Sequence, residues 1–229
     1  MRYYDKCIGC KKCESVCKYN LKSCDLCGKC QDLCPRDAIK ISGTEYSSSE
    51  LLDIILKDSE YYNLSGGGVT FSGGECMLQI DFLEEILKRC KEHNIQTAVD
   101  TAGNVPYEHF ERILPYTDLF LYDIKCVSRE LHEKFTGASN KLILENLKRL
   151  SAKADITVRV PIVGGFNDSF EEVSKIAELL NQINCKIEVL PYHNMGESKY
   201  SALGLEFKEF YTPEEEKIKK IKSILSTKS

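Results

Sequence analysis

The sequence has no apolar run that approaches the roughly eighteen residues a membrane-spanning helix needs, which excludes a helical membrane protein. It also lacks an excess of charge of one sign. Its 31 Lys and Arg against 35 Asp and Glu leave a formal net charge of -4, too weak a field to draw the chain to nucleic acid or anionic lipid. The opening Met1 to Lys6 carries no apolar core of a signal peptide, so the expected location is the cytoplasm. What is there, 42% hydrophobic and 29% charged residues, is the composition of an ordinary globular chain. Its 229 residues suffice for one sizeable core and a small appended module.

Residues 1–43 are poor in apolar periodicity and rich in cysteine. Eight of the twelve cysteines fall between positions 7 and 34. Such a segment cannot bury a core and is expected to be held by metal, because disulfides are uncommon in a chain that stays in the cytoplasm. Cys7, Cys10, Cys13 and Cys17 form a Cys-x2-Cys-x2-Cys-x3-Cys run, and Cys24, Cys27, Cys30 and Cys34, followed by Pro35, form another. A 4Fe-4S cube takes one thiolate per iron; three cysteines of a run wrap one cube while the fourth reaches the other. That rule assigns Cys7, Cys10, Cys13 and Cys34 to one cluster and Cys24, Cys27, Cys30 and Cys17 to the second. Zinc also takes four thiolates, but its sites usually pair two Cys-x2-Cys hooks rather than two matched runs of four. The segment's nine Lys and Arg against five Asp and Glu roughly offset the negative clusters, whose expected role is electron relay.

From about residue 44 the texture changes to alternating strands and helices. The pattern predicts a helix over 49–58, a strand over 68–72 and a helix presenting Ile80, Leu83, Ile86, Leu87 and Cys90. It continues with strand 96–100, a helix near 107–114, strand 119–123, helices near 128–135 and 142–152, and strand 155–160. A helix opened by a capping-box-like Asp168-Ser169-Phe170-Glu171, strand 186–190 and a last helix after Thr212-Pro213-Glu214-Glu215 complete it. The expected domains are thus 1–43 and 44–229. Such α/β alternation implies a parallel sheet covered by helices, an open doubly wound sheet or a full or partial barrel, with chemistry at the C-terminal strand ends. Cys76, Cys90, Cys126 and Cys185 read as packing residues, and His93, His109 and His132 as surface.

The strand ends carry Ser72-Gly73-Gly74-Glu75, Asp100-Thr101, Asp123-Ile124-Lys125, Arg159, Gly164-Gly165-Phe166-Asn167-Asp168 and, past the fifth strand, His193. Paired glycines alone are usually turns, and a strand-end aspartate can simply cap the next helix. Together, from Cys7 to the last helix, the series resembles the activating enzymes of glycyl radical enzymes within the radical S-adenosylmethionine superfamily, in the subset with a two-cluster ferredoxin insert. The resemblance implies a partial (β/α) barrel of parallel strands with a ferredoxin-like module. It implies that Gly73, Gly74 and Glu75 hold the methionine amino group of S-adenosylmethionine, that Asp123, Ile124 and Lys125 flank the methionine moiety, and that Arg159 and His193 complete the pocket. Carboxylates and carbonyls suit the cofactor's ammonium, and cationic side chains suit its carboxylate. Asp100 and Asp123 are also candidates for a monovalent cation. The implied partners are a glycyl radical enzyme and an electron donor such as flavodoxin or ferredoxin, met by a monomer.

One element of that family's pattern is not in the sequence. Its catalytic cluster is bound by Cys-x3-Cys-x2-Cys after a first strand; here x3 spacings occur only at Cys13–Cys17 and Cys30–Cys34, and neither has a cysteine three positions further on. The expectation is therefore a chain without catalytic cysteines, its first strand and third 4Fe-4S cluster belonging upstream of Met1, through truncation, a misplaced start or a gene remnant. Two functions follow as alternatives: an activase that is inactive in this form, or an electron-transfer and docking module without catalysis of its own.

Overall fold

Five short runs with apolar residues at every second position form one fully parallel sheet in strand order 1-2-3-4-5: β1 (Gly68–Phe71), β2 (Gln96–Thr101), β3 (Leu119–Asp123), β4 (Ile156–Ile162) and β5 (Lys186–Pro191). The structure is a computed structural model, and it describes residues 1–17 and 24–226. The chain divides into two compact units, Met1–Glu45 with His193–Phe210 and Tyr46–Tyr192 with Tyr211–Ser229. Residues 193–210, which sequence pattern assigns to the domain over 44–229, thus group with the cysteine-rich segment. The Arg2 amide, for example, donates to the Ala202 carbonyl at 2.7 Å.

In the sheet unit, one strand face is buried: Val99 and Thr101, Phe120 and Tyr122, and Ile156, Val158, Val160 and Ile162. The other face carries Thr70, Asp100, Asp123, Thr157, Arg159 and Glu188, all half-buried or exposed. Register fixes their rows, because Asp123 pairs with Arg159 and Arg159 with Glu188, so these three point the same way from neighbouring strands.

The helices of the sheet unit are α2 (Ser48–Leu56), α3 (Ser59–Ser65), α4 (Ile80–Glu92), α5 (Tyr107–Ile113), α6 (Arg129–Thr136), α7 (Lys141–Leu150), α8 (Phe170–Asn181) and α10 (Glu215–Ser226). Two more, α1 (Lys29–Asp32) and α9 (Glu197–Leu203), belong to the cysteine-rich unit. A capping box starts α2: the Ser47 hydroxyl accepts from the Glu50 amide and the Glu50 carboxylate accepts from the Ser47 amide. From α4, Leu83, Ile86, Leu87 and Cys90 face the core, and from α5 the Phe110 ring lies 5.9 Å from Phe120 and 6.2 Å from Tyr122.

The start of α8 departs from the capping box the sequence suggests. Ser169 does cap the Glu172 amide, but the Glu172 side chain turns away to the loop after β3, and Asp168 binds the Gly165 amide and Lys217. In the cysteine-rich unit, Arg2 and Ile39 form an antiparallel bridge, and Ala38 and Ala202 are the buried apolar residues among those described. Among the described residues, no helix is long and apolar enough to cross a membrane.

Candidate functional site

The two cysteine runs adopt the same backbone turn. In each, the second and fourth residues after the first cysteine have positive φ: Gly9 (68°) and Lys11 (58°) after Cys7, Leu26 (58°) and Gly28 (79°) after Cys24. Left-handed lysine and leucine are unfavourable by about 1 kcal/mol each, a strain that persists where something else fixes the turn. The turns surround two cavities. One of about 120 Å3 is lined by Cys7, Cys10, Cys13 and Cys34; the other, about 690 Å3, is lined by Cys17, Cys24, Cys27 and Cys30, with Cys13 on its wall.

Among the described residues no three Cys, His, Asp or Glu side chains converge as a single-ion site would require. Thiols spread around a cavity are what a cube held at its corners needs, so the residues present fit the clusters the spacing implies. Amides and a guanidinium already point at the sulfurs. Leu26 N–H donates to Cys24 Sγ at 3.4 Å, Ala38 N–H to Cys34 Sγ at 3.2 Å and Arg2 Nη2 to Cys13 Sγ at 3.6 Å. Backbone amides of Arg36 and Ala38 hold the Cys34 thiol below its usual range, toward the ligating thiolate. Burial raises the Cys30 thiol, with the nearby Cys17 and Cys24 adding to the rise. Of the basic residues counted in this segment, Lys18 and Lys22 lie outside the described residues.

In the sheet unit, the loop after β1 presents backbone rather than side chain. Gly73 has φ 147°, and a Cβ at Gly73 or Gly74 would meet nothing within 4 Å, so a ligand can approach both closely. The Glu75 carboxylate is occupied: it accepts from Thr101 Oγ1 at 2.9 Å, the Ala102 amide at 3.0 Å and the Met77 amide at 3.3 Å. It ties the end of β1 to the end of β2, beside the open backbone of Gly73 and Gly74.

Beyond them lies a charge network. Arg159 donates from Nη1 to Asp100 at 3.3 Å and from Nε to Asp123 at 3.2 Å, and Ser72 Oγ donates to Asp100 at 3.1 Å. The three charged side chains are 19–24% exposed, so their fields are only partly screened. Burial pushes the Asp123 carboxyl above its usual range, against the pull of Lys125 and Arg159 and with a further push from Asp100. Two carboxylates thus share one guanidinium, with Lys125 beside them.

The loop that carries Lys125 is clamped by buried polar groups that sequence reasoning left without a role. Asn167, fully buried, donates to the Lys125 and Pro161 carbonyls and accepts from the Val163 amide. Asn140 donates to the carbonyls of Cys126 and Val127, and Glu172 accepts from the amides of Val127 and Ser128. Asn167 and Asp168 stand in the Gly-Gly-Phe-Asn-Asp series, which was the available signal; nothing local marks Asn140 or Glu172.

The remaining expected residues divide. Ile124 is 1% exposed in the core, with its amide bonded to the Arg159 carbonyl. His193 is exposed and belongs to the cysteine-rich unit. The surface expectation for His132 is corrected: it is 4% exposed, because Nδ1 pairs with the Ala138 carbonyl and Thr136 Oγ1, which removes the cost of burying it. His109 is half-buried against the Met77 carbonyl, whereas His93 is exposed. Cys90, Cys126 and Cys185 are buried, and burial lifts the half-buried Cys76 thiol to about 12, so all four sit as packing groups.

Most of the chain is similar to known proteins. Residues 23–180 match the radical SAM superfamily and residues 4–20 a 4Fe-4S binding domain. The trans-4-hydroxy-L-proline dehydratase activating enzyme of Clostridioides difficile is 38% identical, over 90% of this chain and 80% of that protein. The (2S)-3-sulfopropanediol dehydratase activating enzyme of Klebsiella oxytoca is likewise 38% identical, over 90% of this chain and 72% of the other. A crystal structure of a domain of pyruvate-formate lyase-activating enzyme from Bacteroides vulgatus superposes with a TM-score of 0.60 at 32% identity, covering 70% of this chain and 93% of that one. The fold held in common is a partial (β/α) barrel of parallel strands.

Proposed function

The chain belongs to the radical SAM superfamily, among the activating enzymes of glycyl radical enzymes, and from that premise we propose that it binds S-adenosylmethionine at the C-terminal ends of β1 to β4 and carries two 4Fe-4S clusters in its cysteine-rich unit. The observation that carries the pocket is the open Gly73–Gly74 backbone beside the Asp100–Arg159–Asp123 network. The glycine carbonyls accept from the methionine ammonium, and Lys125 with Arg159 faces its carboxylate. Glu75 acts by fixing the glycines rather than by touching the ligand. Asp100 and Asp123 are also the carboxylates that would hold a monovalent cation beside the cofactor once Lys125 turns to the ligand's carboxylate.

In the family reaction a catalytic cluster supplies the electron that cleaves the sulfonium, and a glycine of the partner protein becomes the radical. In this reading the two clusters held by the eight cysteines would relay electrons received from flavodoxin or ferredoxin, and the protein works as a cytoplasmic monomer. Because the sequence contains no Cys-x3-Cys-x2-Cys, we expect about eight irons per reconstituted chain, one per ligating thiolate. We also expect no 5'-deoxyadenosine from this chain alone. About twelve irons, or steady production of that nucleoside, would show the cysteines to be misassigned.

The pocket is tested by equilibrium dialysis of labelled S-adenosylmethionine against the anaerobically reconstituted chain. Asp123→Asn and Lys125→Ala each weaken binding about tenfold or more, the worth of one charge-assisted hydrogen bond, with iron content unchanged. Equal binding by the parent and both variants removes the pocket assignment.

A further inference from the structure

Arg2 occupies a place in the cysteine-rich unit that neither the cysteine spacing nor the family match accounts for. Arg2, Cys13, Glu14 and Ile39 line both cysteine cavities and form the wall they share. The Arg2 backbone is fixed there by its bridge to Ile39 and by the hydrogen bond its N–H donates to the Ala202 carbonyl. Its guanidinium lies over the Tyr4 ring at 5.7 Å and donates from Nη2 to Cys13 Sγ, while Nε is buried with no hydrogen-bond partner. Burying a cation with an idle donor is costly unless a negative body lies beside it. Glu14, the carboxylate on that wall, is exposed, and no ion pair joins it to Arg2.

We propose that Arg2 sets the reduction potential of the cluster bound through Cys13 and, to a smaller degree, that of its neighbour. The proposal rests on the two-cluster reading above. Reduction adds one electron, from an external low-potential one-electron donor, and makes the cluster one unit more negative with no bond made or broken. A cation bonded to one of its thiolates stabilises that more negative state and raises the potential, as hydrogen bonds to cluster sulfurs do. Because Arg2 bonds one thiolate and merely borders the second cavity, it separates two otherwise matched sites.

The test is a redox titration of the anaerobically reconstituted full chain, followed by electron paramagnetic resonance, on the parent, Arg2→Gln and Arg2→Lys. In Arg2→Gln the reduction equilibrium of one cluster shifts about tenfold toward the oxidised state, about 59 mV for one electron, and the other shifts less. Arg2→Lys keeps the charge and holds both potentials near those of the parent. Unchanged potentials in Arg2→Gln overturn the proposal, as does a full tenfold shift in Arg2→Lys, which decides the matter if Arg2→Gln takes up iron poorly. Iron and sulfide counts on the parent answer separately whether the cysteines hold two cubes: two reducible clusters that ignore Arg2 remove its role alone.

Discussion

The sheet unit and the cysteine-rich unit are stabilised by different physics within one chain. The first interdigitates Leu83, Ile86, Phe110, Phe120, Tyr122 and Leu147 at almost zero exposure, the ordinary route to a folded domain. In the second, Ile8 and Leu26 stand 63% and 65% exposed, and the buried apolar side chains among the described residues are two alanines. Ordering a residue costs about 1–2 kcal/mol of backbone entropy, and so little apolar burial cannot offset it. The difference teaches where each unit gets its shape: the sheet from its apolar side chains, the cysteine segment from something other than apolar burial. Lys11 and Leu26 in left-handed backbone are the mark of the second case, since their own preferences oppose the turn.

The strongest way to break this comparison is to remove the metal. Iron chelation under reducing conditions should abolish amide-exchange protection across residues 1–45, while protection in β2, β3 and β4 changes less than about tenfold. Equal loss in both units would mean the sheet also depends on the clusters. The converse perturbation is Phe110→Ala, whose ring touches Tyr107, Phe120 and Tyr122. It should cost about 3–5 kcal/mol in urea unfolding of the sheet unit and leave the iron content as in the parent.

The sequence made the two units legible to different depths for the same reason. Thiolate chemistry dictates spacing, so Cys7 to Cys34 could be sorted into two sets by counting; one cavity is lined by Cys7, Cys10, Cys13 and Cys34, the other by Cys17, Cys24, Cys27 and Cys30 with Cys13 again on its wall. Alternation of apolar residues placed all five strands within about two residues of their ends. What stayed hidden were groups whose partners are remote. Glu172 carries no local mark, yet its carboxylate reaches across 44 residues to Ser128. Glu75 looked like a ligand group, yet it is taken up by Thr101 and Ala102, 26 and 27 residues on. His132 looked exposed because its neighbours are charged, and only the fold reveals the carbonyl that pairs it. Short α3 and α9 carry too few turns for a periodic signal.

Two smaller effects sharpen the line between residues that hold the sheet unit together and those that serve its site. Asn167→Ala leaves the Lys125 and Pro161 carbonyls and the Val163 amide without that partner. A loss of about 1–3 kcal/mol is expected, with weaker S-adenosylmethionine binding, because the loop bearing Lys125 loses a clamp. Thermal unfolding and dialysis on the same protein measure both; a stability loss with intact binding would make Asn167 structural only.

Asp123→Asn should do the opposite. Burial raises the folded-state pKa of Asp123 above its unfolded value near ~3.9, so the folded chain holds that proton more tightly than the unfolded chain does. The sign follows: stability contributed by the protonated form is present below the unfolded value and is lost as pH rises through the raised one. At neutral pH the carboxylate is therefore a net liability to folding, and the amide, which cannot ionise, escapes it. Unfolding midpoints of Asp123→Asn should equal or exceed the parent's at pH 7, and the gap should close on acidification toward pH ~4. Binding of S-adenosylmethionine falls in the same variant. A midpoint clearly below the parent's at neutral pH would mean that the bond from Arg159 outweighs burial, and Asp123 would then belong with the residues that hold the sheet rather than with those kept for the ligand.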